Sequence, residues 1–93
     1  IQADLKTFTV HRVYGMTAIT ALTAQNTRGV AAIHAVPADF VRRQIDAVVT
    51  DVGVDAVKTG MLANAEIIAA VCAALRDHDL RNVVVDPVFV AQS

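Results

Sequence analysis

The sequence predicts an α/β fold with a mostly parallel sheet built from βαβ units. Segments rich in β-branched residues alternate along the chain with segments of helical periodicity, which is typical of parallel sheets with right-handed crossovers. Residues 54–64 are the clearest example, because a short apolar run, a turn at Gly60 and a helix start follow one another there. Ligands of open α/β sheets bind where a strand ends and the chain turns into a helix.

One helix and two strands are predicted before Pro37. Apolar residues at spacings of four and three indicate a short amphipathic helix over residues 1–12, and these are Ile1, Leu5 and Phe8. Residues 16–23 are typical of a covered strand, which a polar loop follows at residues 25–29. Residues 30–36 form either a second, shorter strand or an extended edge segment.

The next helix begins at Pro37–Asp39, with Asp39 as its cap, and ends at Asp51–Gly53. Arg42 and Asp46 are spaced for an ion pair on its outer side. Its inner face is expected to contain Phe40, Val41, Ile45, Val48 and Val49. The strand at residues 54–58 follows.

The last helix and strand complete the alternation. Asn64 is a good N-cap for a helix over residues 65–78 with an inner stripe of Ile67, Ile68, Val71, Cys72 and Leu75. A strand then covers Asn82–Asp86, and Pro87 stops its ladder. Consecutive parallel strands end on one edge of a sheet, so three segments are expected side by side: Gln25–Thr27, Thr59–Met61 and Asp86–Val88.

Composition limits the classes of function. The chain has 93 residues, is 55% apolar and carries a formal net charge of −1, which gives no electrostatic argument for nucleic acid or an anionic membrane. The longest apolar run, Ile67–Leu75, is too short to span a bilayer. Cys72 has no intramolecular partner, which fits a reducing, cytoplasmic compartment. The chain begins within a helical pattern and stops at Ser93 soon after a strand, so we expect a domain fragment truncated at both ends.

Amide and thioether side chains at the expected sheet edge are candidates for binding a ring. Gln25 and Asn26 both donate and accept hydrogen bonds, which suits a neutral heterocycle, although amides in turns commonly satisfy local backbone groups. Met61 is either a soft wall against a flat ring or a core residue. The sequence leaves both alternatives open.

Charged side chains near the same edge have two interpretations each. Asp86 either helps to hold a hydrated divalent cation near phosphates or accepts hydrogen bonds from loop amides. Lys58 either reaches a phosphate or lies along the surface in solvent. Asp4 either faces the cleft or is a plain surface residue.

Other reactive residues give weaker signals. His11, His34 and His78 lack metal-ligand spacing, and the dipole of the preceding helix accounts for His78. Cys72 is expected to be a packing residue. No G-x-G-x-x-G, Walker-type G-x-x-x-x-G-K-[ST] or G-x-S-x-G motif occurs, which leaves dinucleotide-binding, P-loop and hydrolase functions without support.

Five stretches, in order along all 93 residues, together resemble hydroxymethylpyrimidine/phosphomethylpyrimidine kinase, a thiamine-pathway enzyme of the ribokinase-like superfamily. They are Ile1–Phe8, Tyr14–Leu22, Ala24–Thr27, Lys58–Leu62 and Val83–Val88. The resemblance implies part of a ribokinase-like three-layer domain. It also implies phosphorylation of the hydroxymethyl group of an aminopyrimidine, and then of the monophosphate, with ATP and Mg²⁺.

The resemblance also implies roles for individual residues. Gln25 is similar to the glutamine that hydrogen-bonds the aminopyrimidine edge, Met61 to the methionine packed on the ring, and Val88 to a nearby apolar contact. Asp86 matches the aspartate associated with the nucleotide phosphates and the cation, in part through water. Asp4 lies on the helix that follows the substrate loop. Catalytic groups are expected beyond Ser93, and relatives of this kind are generally homo-oligomers.

Two departures and two alternatives accompany this interpretation. Gln92 stands where the family often has lysine, which removes a cation near the phosphates, and Phe89 stands where methionine is common. A pyridoxal-kinase-like enzyme of the same superfamily is one alternative. A truncated, non-catalytic binding or structural module is the other.

Overall fold

Three helices and four strands follow one another along residues 1–87, the part of the chain that the structure, a computed structural model, describes. In order they are α1 (Gln2–Val10), β1 (Ala21–Asn26), β2 (Gly29–Ala35), α2 (Ala38–Asp51), β3 (Val57–Thr59), α3 (Ala65–Asp77) and β4 (Val83–Val85). No helix within these residues has the length and apolar character needed to cross a membrane.

The predicted βαβ unit is confirmed by β3, α3 and β4. The two strands pair in parallel with Val57 opposite Val83 and Thr59 opposite Val85, and α3 connects them. The predicted N-cap is also confirmed, since the Asn64 side-chain oxygen accepts a hydrogen bond from the Ile67 N–H at 2.9 Å. This bond satisfies one of the backbone donors that a helix start leaves without a partner.

The strand predicted over residues 16–23 is wrong in its position and its partner. β1 begins at Ala21 and pairs antiparallel with β2 in a sheet separate from β3–β4. Asn26 forms the turn of this hairpin by accepting a hydrogen bond from the Arg28 N–H at 2.9 Å. The β-branched residues of the stretch favour a strand without setting its register, whereas the turn chemistry after Asn26 sets it.

The apolar core lies between α2 and α3. Val41 and Ile67 are fully buried and Val71 nearly so, and the partly buried residues packed against them are Val36, Ala38, Ile45, Leu62 and Leu75. Three predicted inner residues are instead exposed, namely Phe40, Ile68 and Cys72. The buried stripe of α3 is narrower than predicted and consists of Ile67, Val71 and Ala74. Ala74 belongs to it because residues at spacings of three and four share one helix face.

Charged side chains join the same two helices on their outer side. The predicted Arg42–Asp46 pair is confirmed at 2.8 Å, and Arg42 also reaches Asp77 on α3 at 2.9 Å. His78, for which the sequence indicates an interaction with the helix dipole, also contacts Asp46 at 2.7 Å between Nε2 and Oδ1. The hydrogen bond from His78 and then the one from Arg42 hold the pKa of Asp46 below its ordinary value.

Neighbouring isoleucines of α3 give a matched test of this core. Ile67→Ala should lower the free energy of unfolding by about 2–5 kcal/mol, because it empties a fully buried site. Ile68→Ala makes the same change at a side chain that is 45% exposed and should cost clearly less. Urea denaturation of both variants measures the difference, and equal losses would contradict the assigned core.

Acid should weaken the link between the helices through Asp46. Folding lowers the pKa of the Asp46 carboxyl from its ordinary value of 3.8. The stability that the ionised carboxylate contributes is therefore fully present above pH 3.8 and is lost as pH falls through the lower pKa of the folded state. Below pH 3.8, the free energy of unfolding should therefore fall less steeply with decreasing pH in Asp46→Asn than in the wild type. Urea titrations across that range measure it, and an unchanged acid dependence would argue against the pairing.

Candidate functional site

Three charged side chains from three separate elements meet at the C-terminal edge of the β3–β4 pair. Lys58 Nζ lies 3.1 Å from Asp4 Oδ1 and 3.6 Å from Asp86 Oδ2. Asp4 comes from α1, Lys58 from β3, and Asp86 directly follows β4. These three residues are called the Lys58 cluster below. Lys58 and Asp4 are about one-third exposed, whereas the Asp86 side chain is 67% exposed.

The backbone around the Lys58 cluster explains why its three side chains lie close together. Parallel pairing aligns the ends of β3 and β4, and the Asp86 N–H extends it by donating to the Thr59 carbonyl at 3.0 Å. α1 packs closely over Gly15, where an added Cβ would lie 2.8 Å from Leu5 Cδ2 and 2.9 Å from Phe8 Cδ2. A larger residue at position 15 would have to displace these two side chains, so glycine permits the close packing of the helix that carries Asp4.

The electrostatics of the cluster keep the lysine charged. Its hydrogen bond to Asp4 is the main cause that raises the pKa of Lys58 above its ordinary value, and Asp86 adds to it, while burial opposes it. One ammonium thus faces two carboxylates. Asp4 holds it more closely, and the more exposed Asp86 carboxylate remains accessible from solvent.

The loop after β3 runs beside this cluster. A Cβ at Gly60 would lie 3.4 Å from Lys58 Nζ, so the backbone passes close to the ammonium. Met61 is partly buried, and its carbonyl accepts a hydrogen bond from the Thr20 hydroxyl at 2.9 Å. This bond joins residues 41 positions apart, so no pattern around Thr20 in the sequence indicates it.

Gln25 and Asn26 lie in β1 and not in a loop. A bulge between Ala24 and Gln25 shifts the register of the hairpin, and bulges of this kind redirect side chains. Gln25 is exposed and its Oε1 accepts a hydrogen bond from the Thr23 hydroxyl at 3.3 Å. The Asn26 oxygen is engaged by the hairpin turn, as the local alternative predicts.

The prediction that three segments at strand ends lie side by side is therefore correct in part. Thr59–Met61 and Asp86 are adjacent, whereas Gln25–Thr27 belong to the other sheet. These hairpin residues line a shallow depression together with Gln2 of α1. Since Gln2 and Asp4 share α1, this helix connects the depression to the Lys58 cluster. Val88, Phe89 and Gln92 lie outside the described residues.

A second depression occupies the opposite, N-terminal ends of β3 and β4. Its polar side chains are engaged locally, because Arg81 pairs with Asp79 at 3.0 Å and the Asn82 amide donates to the Asp55 carbonyl at 3.1 Å. Ligands of parallel sheets bind at the other edge. We therefore assign the candidate site to the Lys58 edge. Within residues 1–87, no group of three or more His, Cys, Asp or Glu side chains is placed to hold a metal ion.

Comparison with known proteins identifies relatives along the whole chain. A family model described as phosphomethylpyrimidine kinase matches residues 1–93. The thiamine biosynthesis bifunctional protein ThiED of Geobacter sulfurreducens is 60% identical over 92 residues, which are 99% of this chain and 19% of that protein. The chain spans only about a third of the length of the relatives named hydroxymethylpyrimidine/phosphomethylpyrimidine kinase from Salmonella typhimurium and Bacillus subtilis.

Solved structures agree with the sequence relatives. The phosphomethylpyrimidine kinase of Clostridium difficile superposes with a TM-score of 0.87 at 45% identity, over 91% of this chain and 37% of that one. An ADP complex of Bacillus subtilis pyridoxal kinase gives 0.87 at 41% identity, over 97% and 34%. These likenesses confirm the predicted ribokinase-like α/β fold.

Titration of Lys58 tests the geometry of the cluster. Asp4→Asn should lower the pKa of the ammonium, because the bond to Asp4 is the largest cause that raises it. Asp86→Asn should lower it less. NMR of the Lys58 Cε resonance against pH measures both changes. A larger effect of Asp86→Asn would contradict the distances described above.

Proposed function

Because the chain belongs to the phosphomethylpyrimidine kinase family, we propose that it is a segment of an ATP-dependent kinase acting on 4-amino-5-hydroxymethyl-2-methylpyrimidine and on its monophosphate in thiamine diphosphate biosynthesis. The observation that carries the proposal is the match of the family model over residues 1–93, together with relatives whose names state the two kinase activities. The chain spans a minor part of those relatives. The activity proposed is therefore that of the whole kinase domain, and we expect the segment alone to be inactive.

The pyrimidine end of the proposed site is formed by Gln25 and Met61. In the described residues, Gln25 Nε2 has no hydrogen-bond partner, which leaves an exposed donor for a ring nitrogen or a similar acceptor. Met61 supplies a polarizable apolar surface against the ring. Val88 remains a predicted apolar contact.

The phosphate end is proposed to lie at the Lys58 cluster. Mg²⁺ usually takes one or two carboxylates, phosphate oxygens and several waters, and the exposed Asp86 carboxylate fits such a role through water. When bound, the metal would neutralise charge on the nucleotide phosphates. Lys58 remains a predicted phosphate contact, although its charge is already shared by Asp4 and Asp86.

Asp4 has two consistent roles in this proposal. Its position on α1 supports the predicted contribution to the substrate side, and its hydrogen bond with Lys58 sets where the ammonium lies. Groups that activate the hydroxymethyl oxygen remain predicted beyond Ser93. A cytoplasmic location and homo-oligomeric assembly of the whole enzyme also remain predictions.

A pyridoxal-kinase-like enzyme is the second candidate, and one observation favours it. The structural likeness to Bacillus subtilis pyridoxal kinase equals that to the Clostridium difficile enzyme in TM-score. Pyridoxal also carries a ring-borne hydroxymethyl group. Turnover of the two substrates by the full-length protein decides between the candidates, and turnover of neither would favour the truncated, non-catalytic module.

Gln25→Ala in the full-length kinase tests the proposed pyrimidine contact. Loss of one or two hydrogen bonds to the ring should raise the KM for hydroxymethylpyrimidine about 10- to 100-fold, while the KM for ATP stays close to that of the wild type. A coupled assay of ADP release with each substrate varied in turn measures both constants.

Asn82→Ala is the matched control for this experiment. It also removes an exposed amide, but at the opposite end of the β3–β4 pair, where the amide bonds only the Asp55 carbonyl. The control should keep the KM of both substrates. Unchanged pyrimidine kinetics in Gln25→Ala would remove the proposed role of Gln25.

A further inference from the structure

A side-chain amide of α2 pairs with the backbone just before β1. The Ile19 N–H donates to Gln44 Oε1 at 2.8 Å, and Gln44 Nε2 donates to the Ile19 carbonyl at 2.8 Å. Gln44 thus uses its donor and its acceptor on one residue, much as a neighbouring strand would. Both bonds are partly buried, and they attach the segment that precedes β1 to α2.

The next residue carries this attachment to the candidate site. Thr20 Oγ1 donates to the Met61 carbonyl at 2.9 Å, and this bond joins residues that are 41 positions apart. The Thr20 carbonyl accepts a hydrogen bond from the Val36 N–H at 2.9 Å, which holds Thr20 from its other side. A continuous hydrogen-bonded path therefore runs from Gln44 through Ile19 and Thr20 to Met61.

We propose that Thr20 and Gln44 are positioning residues that set the location of Met61 as the wall of the pyrimidine pocket. This inference rests on the proposed function. β3 has only three residues, and Met61 lies in the loop after it, so ladder hydrogen bonds do not hold its backbone. Thr20 supplies the missing restraint from outside the sheet, and Gln44 keeps Thr20 in place.

Thr20→Val in the full-length kinase tests the path, because valine keeps the volume of threonine and removes the donor. The KM for hydroxymethylpyrimidine should rise about three- to tenfold, as expected for loss of one hydrogen bond. The KM for ATP and kcat should stay within about twofold. Gln44→Met, which removes both bonds to Ile19, should shift the same constant in the same direction.

Two further variants separate positioning from general stability. Thr20→Ser keeps the hydroxyl and should restore the pyrimidine KM to within about twofold of the wild type. Thr50→Val makes the same substitution as Thr20→Val at an exposed threonine whose hydroxyl donates to the Asp46 carbonyl at 2.7 Å, and it should leave both KM values unchanged. Equal increases in both KM values for Thr20→Val, or no increase in either, would overturn the proposal.

The Gln25→Ala variant separates this inference from the proposed function. A raised pyrimidine KM in Gln25→Ala with wild-type kinetics in Thr20→Val would overturn the positioning path alone. Unchanged kinetics in both variants would overturn the proposed pyrimidine site and this inference together.

Discussion

The ammonium of Lys58 is the point on which the arrangement of the site depends. It joins α1, the three-residue strand β3 and Asp86, the residue that directly follows β4. Exposed ion pairs contribute little stability, but Lys58 and Asp4 are only about one-third exposed, and only the Asp86 side chain is largely exposed. The interaction matters because it brings Asp86 beside Lys58, which also lies close to Gly60 in the loop that contains Met61.

Short elements explain why side-chain bonds carry so much of the architecture. β3 and β4 contribute three residues each, and the packed core of the described residues consists of a few aliphatic side chains between α2 and α3. The remaining connections are made by polar groups, including Gln44 on Ile19, Thr20 on Met61 and Arg42 across the two helices. The bonds of Gln44 and Thr20 are partly buried, and partners for polar groups are the rule where water is excluded.

The features that depend on local chemistry could be predicted from the sequence. Helix periodicity, the Asn64 cap and the parallel pairing of the strands around α3 follow from patterns within one or two elements. The proximity of Lys58 and Asp86 followed from the rule that parallel strands end together. The hairpin was missed because the β-branched stretch before it fits several registers.

Features that depend on distant contacts could not be predicted in this way. The position of the Asp4 side chain depends on how α1 packs over Gly15. The exposure of Cys72 depends on the rotation of α3 about its axis relative to α2. Nothing in the sequence around Gln44 indicates that Ile19, 25 positions earlier, is its partner. The predicted burial of Phe40 was wrong because helical periodicity alone does not determine how wide the buried face of α2 is.

The pairing of Lys58 with Asp4 has a consequence for the order of folding. It joins residues 54 positions apart, whereas the hairpin and the α2–α3 contact close much shorter loops. Contacts between distant positions form only after the entropy of closing the intervening chain has been overcome. We therefore expect the hairpin and the helix pair to form before α1 docks and completes the edge that carries the charged cluster.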